Sequence, residues 1–150
     1  MTLAQLGAWL MLVSGGLFAG GILIVAVERT NLWRRMPVDQ YADDFRRSLA
    51  RVDPLLPILG GLTGAGALLF ALNASGRPAT LTWIAVALLA VIIVSSLIVA
   101  EPINARFRRL PEGATPDRAD RLRITWRRFH LSRTLLGVAA FTCIVGAVAP

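Results

Sequence analysis

Four stretches without a charged side chain, residues 1–27, 54–76, 78–100 and 134–150, dominate this chain of 150 residues. Each can supply the roughly 20 apolar residues that carry a helix across the hydrocarbon core of a bilayer. No water is available there to bond backbone N–H and C=O groups, so a crossing segment must satisfy them internally, which selects helices. Composition agrees: 55% of the residues are hydrophobic and the mean hydropathy is +0.62. The expected fold is an all-α integral membrane protein, a four-transmembrane-helix bundle with spans near 3–27, 55–74, 80–100 and 131–149. Together they occupy the chain, so residues 1–150 read as one membrane domain with no separate soluble domain.

All sixteen basic residues are arginine, six within 28–53, nine within 101–133 and one at Arg77. Positive charge gathers in short cytoplasmic loops, so both rich segments are expected inside, with both termini and the Arg77 turn outside. The expected location is a plasma (inner) membrane of bacterial type. Arginines follow the first apolar run rather than precede it, which favours an uncleaved first span over a signal peptide. Arginines flanking spans are accounted for by lipid headgroups and require no nucleic acid. The single cysteine, Cys143, excludes an internal disulfide and a C-x-x-C redox pair.

Small residues four apart, Gly16-x-x-x-Gly20 and Gly60-x-x-x-Gly64, predict close packing of spans 1 and 2. Between those spans, Pro37 to Val52 reads as a cytoplasmic amphipathic helix. Val38, Tyr41, Phe45, Leu49 and Val52 recur at steps of three and four and form one apolar stripe. Asp39, Asp43 and Asp44 lie early in it, whereas Arg46, Arg47 and Arg51 lie late, which complements the helix dipole. That helix is expected to lie along the inner membrane surface with its arginines at headgroups. Residues 110–116 read as a Pro/Gly loop, and a long last helix is expected to begin near Pro116–Asp117.

This topology puts Glu28, Glu101, Asn104 and His130 at the cytoplasmic ends of three different spans. Polar groups at such depth are costly unless they face the bundle interior, which makes them site candidates. Trp126, His130 and Arg133 are four and three residues apart and share one helix face, bordered by Arg123 and Arg127. An indole plate, an imidazole and guanidinium groups at the interface suit a flat hydrophobic molecule carrying an oxygen. On that reading the indole stacks on the ligand, His130 removes a proton and an arginine stabilises the oxyanion. The same residues also fit plainer roles: His130 as an anchor, Trp126 in an aromatic belt, Arg133 reaching for headgroups. One histidine excludes bis-histidine haem, and no ligand spacing groups Glu28, Glu101 and His130 into a metal site.

Glu28 after the first span, Pro102-Ile103-Asn104 after the third and Trp126-x-x-x-His130-x-x-Arg133 opening the fourth resemble the anthrone-oxygenase-like membrane family. The resemblance spans nearly the whole chain in length, span count and motif order. It implies a four-helix membrane protein. It also implies oxidation of anthrones to anthraquinones by molecular oxygen without a cofactor, the activity of those members that have an assigned role. It carries over His130 and Trp126, with Asn104 and Arg133 shaping the site. Glu28 is expected to orient His130 by accepting its other ring proton, and Arg127 to help bind substrate.

The function expected is a membrane-embedded, cofactor-independent oxygenase acting on a lipophilic aromatic of anthrone or quinol type. Its partners would be the lipid bilayer and a lipophilic small molecule, with a homo-oligomer left open. The alternative is a non-catalytic membrane module, either a helical partner or a lipid-binding subunit, in which the polar cluster only locks helix ends. A transporter ranks third, since no mid-membrane polar path is evident.

Overall fold

The computed structural model describes residues 1–52 and 54–149, which are helical with no strand among them. Five helices follow in order: α1 (Leu3–Arg35), α2 (Val38–Val52), α3 (Leu55–Ala71), α4 (Gly76–Arg108) and α5 (Ala119–Val148). Three of them, α1, α4 and α5, are long and apolar enough to cross a membrane; α3 is apolar but only 17 residues long. Asp53, within the expected approach to span 2, and Pro150 lie outside the described residues.

Helix α1 opens on a capping box in which Thr2 and Gln5 each accept the other's backbone N–H. Both α1 and α4 run for 33 residues, about 50 Å at the α-helical rise, so each outruns a bilayer core. Each contains one π-helical turn where the apolar part gives way to the charged part, Val25–Arg29 in α1 and Ser96–Ala100 in α4. The expected spans ended near 27 and 100; the helices instead continue to Arg35 and Arg108, α4 even across Pro102, which directly follows its π turn.

Helices α1, α3, α4 and α5 pack in a ring, each against two neighbours. Apolar residues from all four, among them Met11, Phe18, Ile22, Ala67, Leu89 and Ile144, form one core. The α1–α3 contact is close, as the glycine spacing predicts, and Gly60 packs on Phe18 of α1, but the closest backbone approaches are made by other glycines. A Cβ on Gly7 would stand 2.6 Å from the Phe70 backbone N, and one on Gly66 2.6 Å from that of Met11. Gly20 and Gly64 face open space. Deeper along the same contact, Thr63 donates to Ser14 across 3.1 Å, a polar tie buried between two apolar helices.

A second core is built from the parts of α1, α4 and α5 beyond the π turns, together with α2. Helix α2 does present Tyr41, Phe45 and Leu49, but to Trp33, Ile103, Phe107 and Trp126 rather than to a lipid surface. Most aromatic pairs meet edge to face, with Trp33–Phe45 centroids 5.2 Å apart and Phe45–Phe107 centroids 4.8 Å apart, while Tyr41 and Phe45 are tilted by 30°. Three of the α2 charges, Asp43, Asp44 and Arg46, are also drawn inward, while Asp39, Arg47 and Arg51 stay exposed. Asp44 accepts the Trp33 indole N–H at 2.6 Å and pairs with Arg29, while Arg46 bonds Asp43 and the carbonyls of Phe107 and Ala114. Asp43 in turn accepts the Gly113 N–H, which ties the loop between α4 and α5 to α2. Arg46 therefore braces protein rather than lipid, because three acceptors lie within its reach.

Candidate functional site

The seam between the two cores is where the predicted motif sits. His130, fully buried on α5, has Ile22 of the first core on one side and Trp126 of the second on the other. The imidazole and indole are stacked, with centroids 4.8 Å apart and planes 4° apart. Gly137 lets α5 come close to α1 here, since a side chain at that position would collide with Ile22 Cδ1. The Ile22 carbonyl, three residues before the π turn, then lies 3.0 Å from His130 Nε2 and 3.4 Å from the Thr134 hydroxyl.

Hydrogen-bond chemistry fixes the imidazole's state. A carbonyl can only accept, so Nε2 carries the hydrogen and donates to Ile22. A guanidinium can only donate, so Nδ1 accepts from Arg133 Nη2 at 2.7 Å. His130 is therefore a neutral bridge between a backbone carbonyl and a guanidinium. Trp126 completes the unit by donating its indole N–H to Asn104 Oδ1 on α4 at 3.0 Å.

Two cavities meet at this unit. A small one of about 30 Å³, one water's worth, lies beside His130 and Trp126 and is walled by Val25, Phe45, Leu49 and Leu56. A larger cleft of about 320 Å³ lies between α3 and α4. Its walls are apolar, with Phe18, Leu56, Leu89 and Ile92 among them, and it emerges beside Ile93 and Leu97, which are exposed. At one end its polar side chains converge: Ser96, Glu101, Asn104 and Arg133. Arg133 and Leu56 belong to both cavities. An apolar cleft of this size with a few convergent polar groups is the usual form of a small-molecule site.

Of the residues singled out in the sequence, His130, Trp126, Asn104 and Arg133 come together, though not in the expected roles. The indole stacks on His130 instead of lying free for a ligand, and neither ring lines the large cleft. Asn104 and Arg133, which their rings hold, do line it. Glu28 is not part of the unit. It sits on the exposed side of the π turn, paired with Arg29 at 3.1 Å, and the Ile22 carbonyl takes the ring proton it was expected to take. Arg127 lines neither cavity. Arg123 is directed away from the site, to the Trp33 and Met36 carbonyls that end α1. Among the described residues no three His, Cys, Asp or Glu side chains gather as metal ligands would.

Sequence reasoning had no means of finding the Ile22 carbonyl, a backbone atom that joins the unit only because α5 packs against α1. It also passed over Ser96 and Gly61, and kept Glu101 as a site candidate at the end of its helix without assigning it a role. Their signal was present in part, since Glu101 and Asn104 are three apart and share a face.

Fold and site together define a helical membrane protein with a laterally opening apolar cleft, closed at its polar end by a guanidinium braced on a buried histidine. The chain belongs to the anthrone oxygenase family, whose model matches residues 45–143, well over half of the sequence and all four side chains of the unit. No curated protein and no solved structure gives a match.

Proposed function

We propose that this protein is a membrane-embedded, cofactor-independent oxygenase that takes a flat lipophilic aromatic of anthrone or quinol type from the bilayer, with molecular oxygen as co-substrate. The cleft between α3 and α4 carries this reading, because it is apolar along its walls and ends on Arg133 and Asn104. A ring system would lie along the Leu89–Ile92 wall with its oxygen toward the guanidinium. There a developing oxyanion meets a donor already oriented by His130, so no reorganisation is needed as charge forms. Family membership supplies the reaction class.

The same proposal places the second core and its arginines in the cytoplasm of a plasma (inner) membrane, with both termini outside and α3 as a short fourth span. The substrate would then enter at the inner leaflet.

Gly61 provides the test. It lines the cleft, and a Cβ added there meets no other atom within 4 Å, so Gly61→Leu fills the cleft without disturbing helix contacts. Gly64 is equally unobstructed but lies off the cleft, so Gly64→Leu is the control. With protein in lipid nanodiscs, anthrone quenching of tryptophan fluorescence and oxygen uptake should both vanish in Gly61→Leu and persist in Gly64→Leu. Equal behaviour of the two variants would remove the cleft from the account.

A further inference from the structure

Oxidation of an anthrone-type methylene begins with loss of a proton from carbon, so the cleft must present a basic lone pair. His130 does not line the cleft. Its Nε2 hydrogen is given to Ile22, and its Nδ1 lone pair is covered by Arg133. Among the described residues lining the cleft, the polar side chains are Ser96, Glu101, Asn104 and Arg133. A hydroxyl and an amide are negligible bases, and a guanidinium stays protonated. That leaves the Glu101 carboxylate.

The backbone is built to deliver it. Ser96 and Glu101 are five residues apart, which on a regular α-helix of 3.6 residues per turn would put them on different faces. The π turn Ser96–Ala100 is wider, and both residues line the same cleft. Arg108, two turns further along α4, pairs with the carboxylate.

We infer that Glu101 is the general base of this site and that His130 is a positioning residue which holds Arg133 for the oxyanion. The inference rests on the oxygenase reading above. Glu101 takes a proton from the substrate methylene, and the C–H electron pair moves into an enolate whose oxygen is bonded by Arg133. Dioxygen, the oxidant, accepts an electron from the enolate, and the resulting radicals combine to form a C–O bond. The peroxide takes up the proton from Glu101. Loss of the second methylene proton with cleavage of the O–O bond leaves a carbonyl and one water. One CH₂ has then become one C=O at the expense of one dioxygen, with atoms and electrons balanced.

Anaerobic exchange of the methylene hydrogens of unsubstituted anthrone with heavy water isolates the proton transfer from the oxidation. It is followed by NMR on the full chain in nanodiscs. Wild type should accelerate exchange over protein-free nanodiscs, and Glu101→Gln should lose that acceleration by about 100-fold or more while anthrone still quenches tryptophan fluorescence. Arg108→Gln removes the ion pair but keeps the carboxylate, and should retain exchange within about tenfold, which separates loss of the base from loss of the fold. His130→Leu should raise KM more than it lowers the saturated rate. His130→Asn, whose amide oxygen replaces Nδ1 as acceptor, should recover most of that KM. Exchange surviving in Glu101→Gln, or loss of anthrone binding in that variant, overturns the assignment to Glu101. Exchange vanishing in His130→Asn at saturating anthrone returns the base to His130. Wild type that binds anthrone without exchanging it sinks the oxygenase reading itself, and the inference with it.

Discussion

Arg133 Nη2 stands 2.7 Å from His130 Nδ1, so the histidine this family motif displays is spent on holding an arginine. Arg133 lines the cleft and His130 does not, so on the proposed function the positive charge offered to a bound substrate is that of Arg133. Arg133→Lys keeps the charge but loses the planar fork that can bond Nδ1 and a substrate oxygen together. We expect kcat/KM with anthrone to fall by roughly 10- to 100-fold, with thermal stability little changed. Steady-state oxygen uptake measures the first and a melting curve the second; an unchanged kcat/KM would place the oxyanion elsewhere.

Trp126 is the keystone between the cores, stacked on His130 and bonded to Asn104. Trp126→Phe preserves a ring for stacking and removes the N–H donated to Asn104, which should cost about 1–3 kcal/mol. Trp126→Ala should cost about 3–5 kcal/mol, because it also opens a void under Trp33 and Phe45. Reversible denaturation in mild detergent would rank the two. Equal losses would mean that the stacking contributes nothing.

The contact of α1 with α3 is made through bare backbone at Gly7 and Gly66. Alanine at either position would drive a Cβ into a backbone nitrogen, which cannot move as a side-chain tip can. Each substitution should cost about 1–3 kcal/mol, whereas Gly20→Ala, facing open space, should be near neutral. Thermal melting of the three variants checks this, and a destabilised Gly20→Ala would restore the Gly16-x-x-x-Gly20 strip to the interface.

Asp44 holds α2 on the end of α1 by accepting from Trp33 and Arg29. Asp44→Asn keeps an acceptor and loses the charge, so the cost should be modest, about 1 kcal/mol. The effect should appear as faster amide exchange in α2 with the lipid-level core unchanged. Uniform loss of protection would show instead that the two cores unfold as one.

What the sequence made legible follows from what it encodes locally. Charge-free runs and the Tyr41–Phe45–Leu49 stripe are periodic in one dimension, so the helices and the buried face of α2 could be read directly. Spacing put Trp126, His130 and Arg133 on one face, and His130 does contact both of the others. Roles were less legible because they depend on partners from other helices. Whether His130 is free or engaged is decided by a carbonyl of α1, and which glycines touch is decided by where α1 and α3 cross. Glu28 was misplaced because it lies within a π turn, which changes the face its side chain takes, and hydropathy does not report a π turn. The same effect in α4 concealed Glu101 as a cleft residue.

Oxidation of anthrone under isotopically heavy dioxygen separates an oxygenase from a membrane module that merely binds the compound. Purified protein in nanodiscs should convert unsubstituted anthrone to anthraquinone faster than protein-free nanodiscs, with one heavy oxygen atom in the new carbonyl and the other in water. Gly61→Leu should reduce the rate to that of the protein-free sample. A product whose new oxygen comes from solvent, or a wild-type rate no greater than that of empty nanodiscs, would contradict the account.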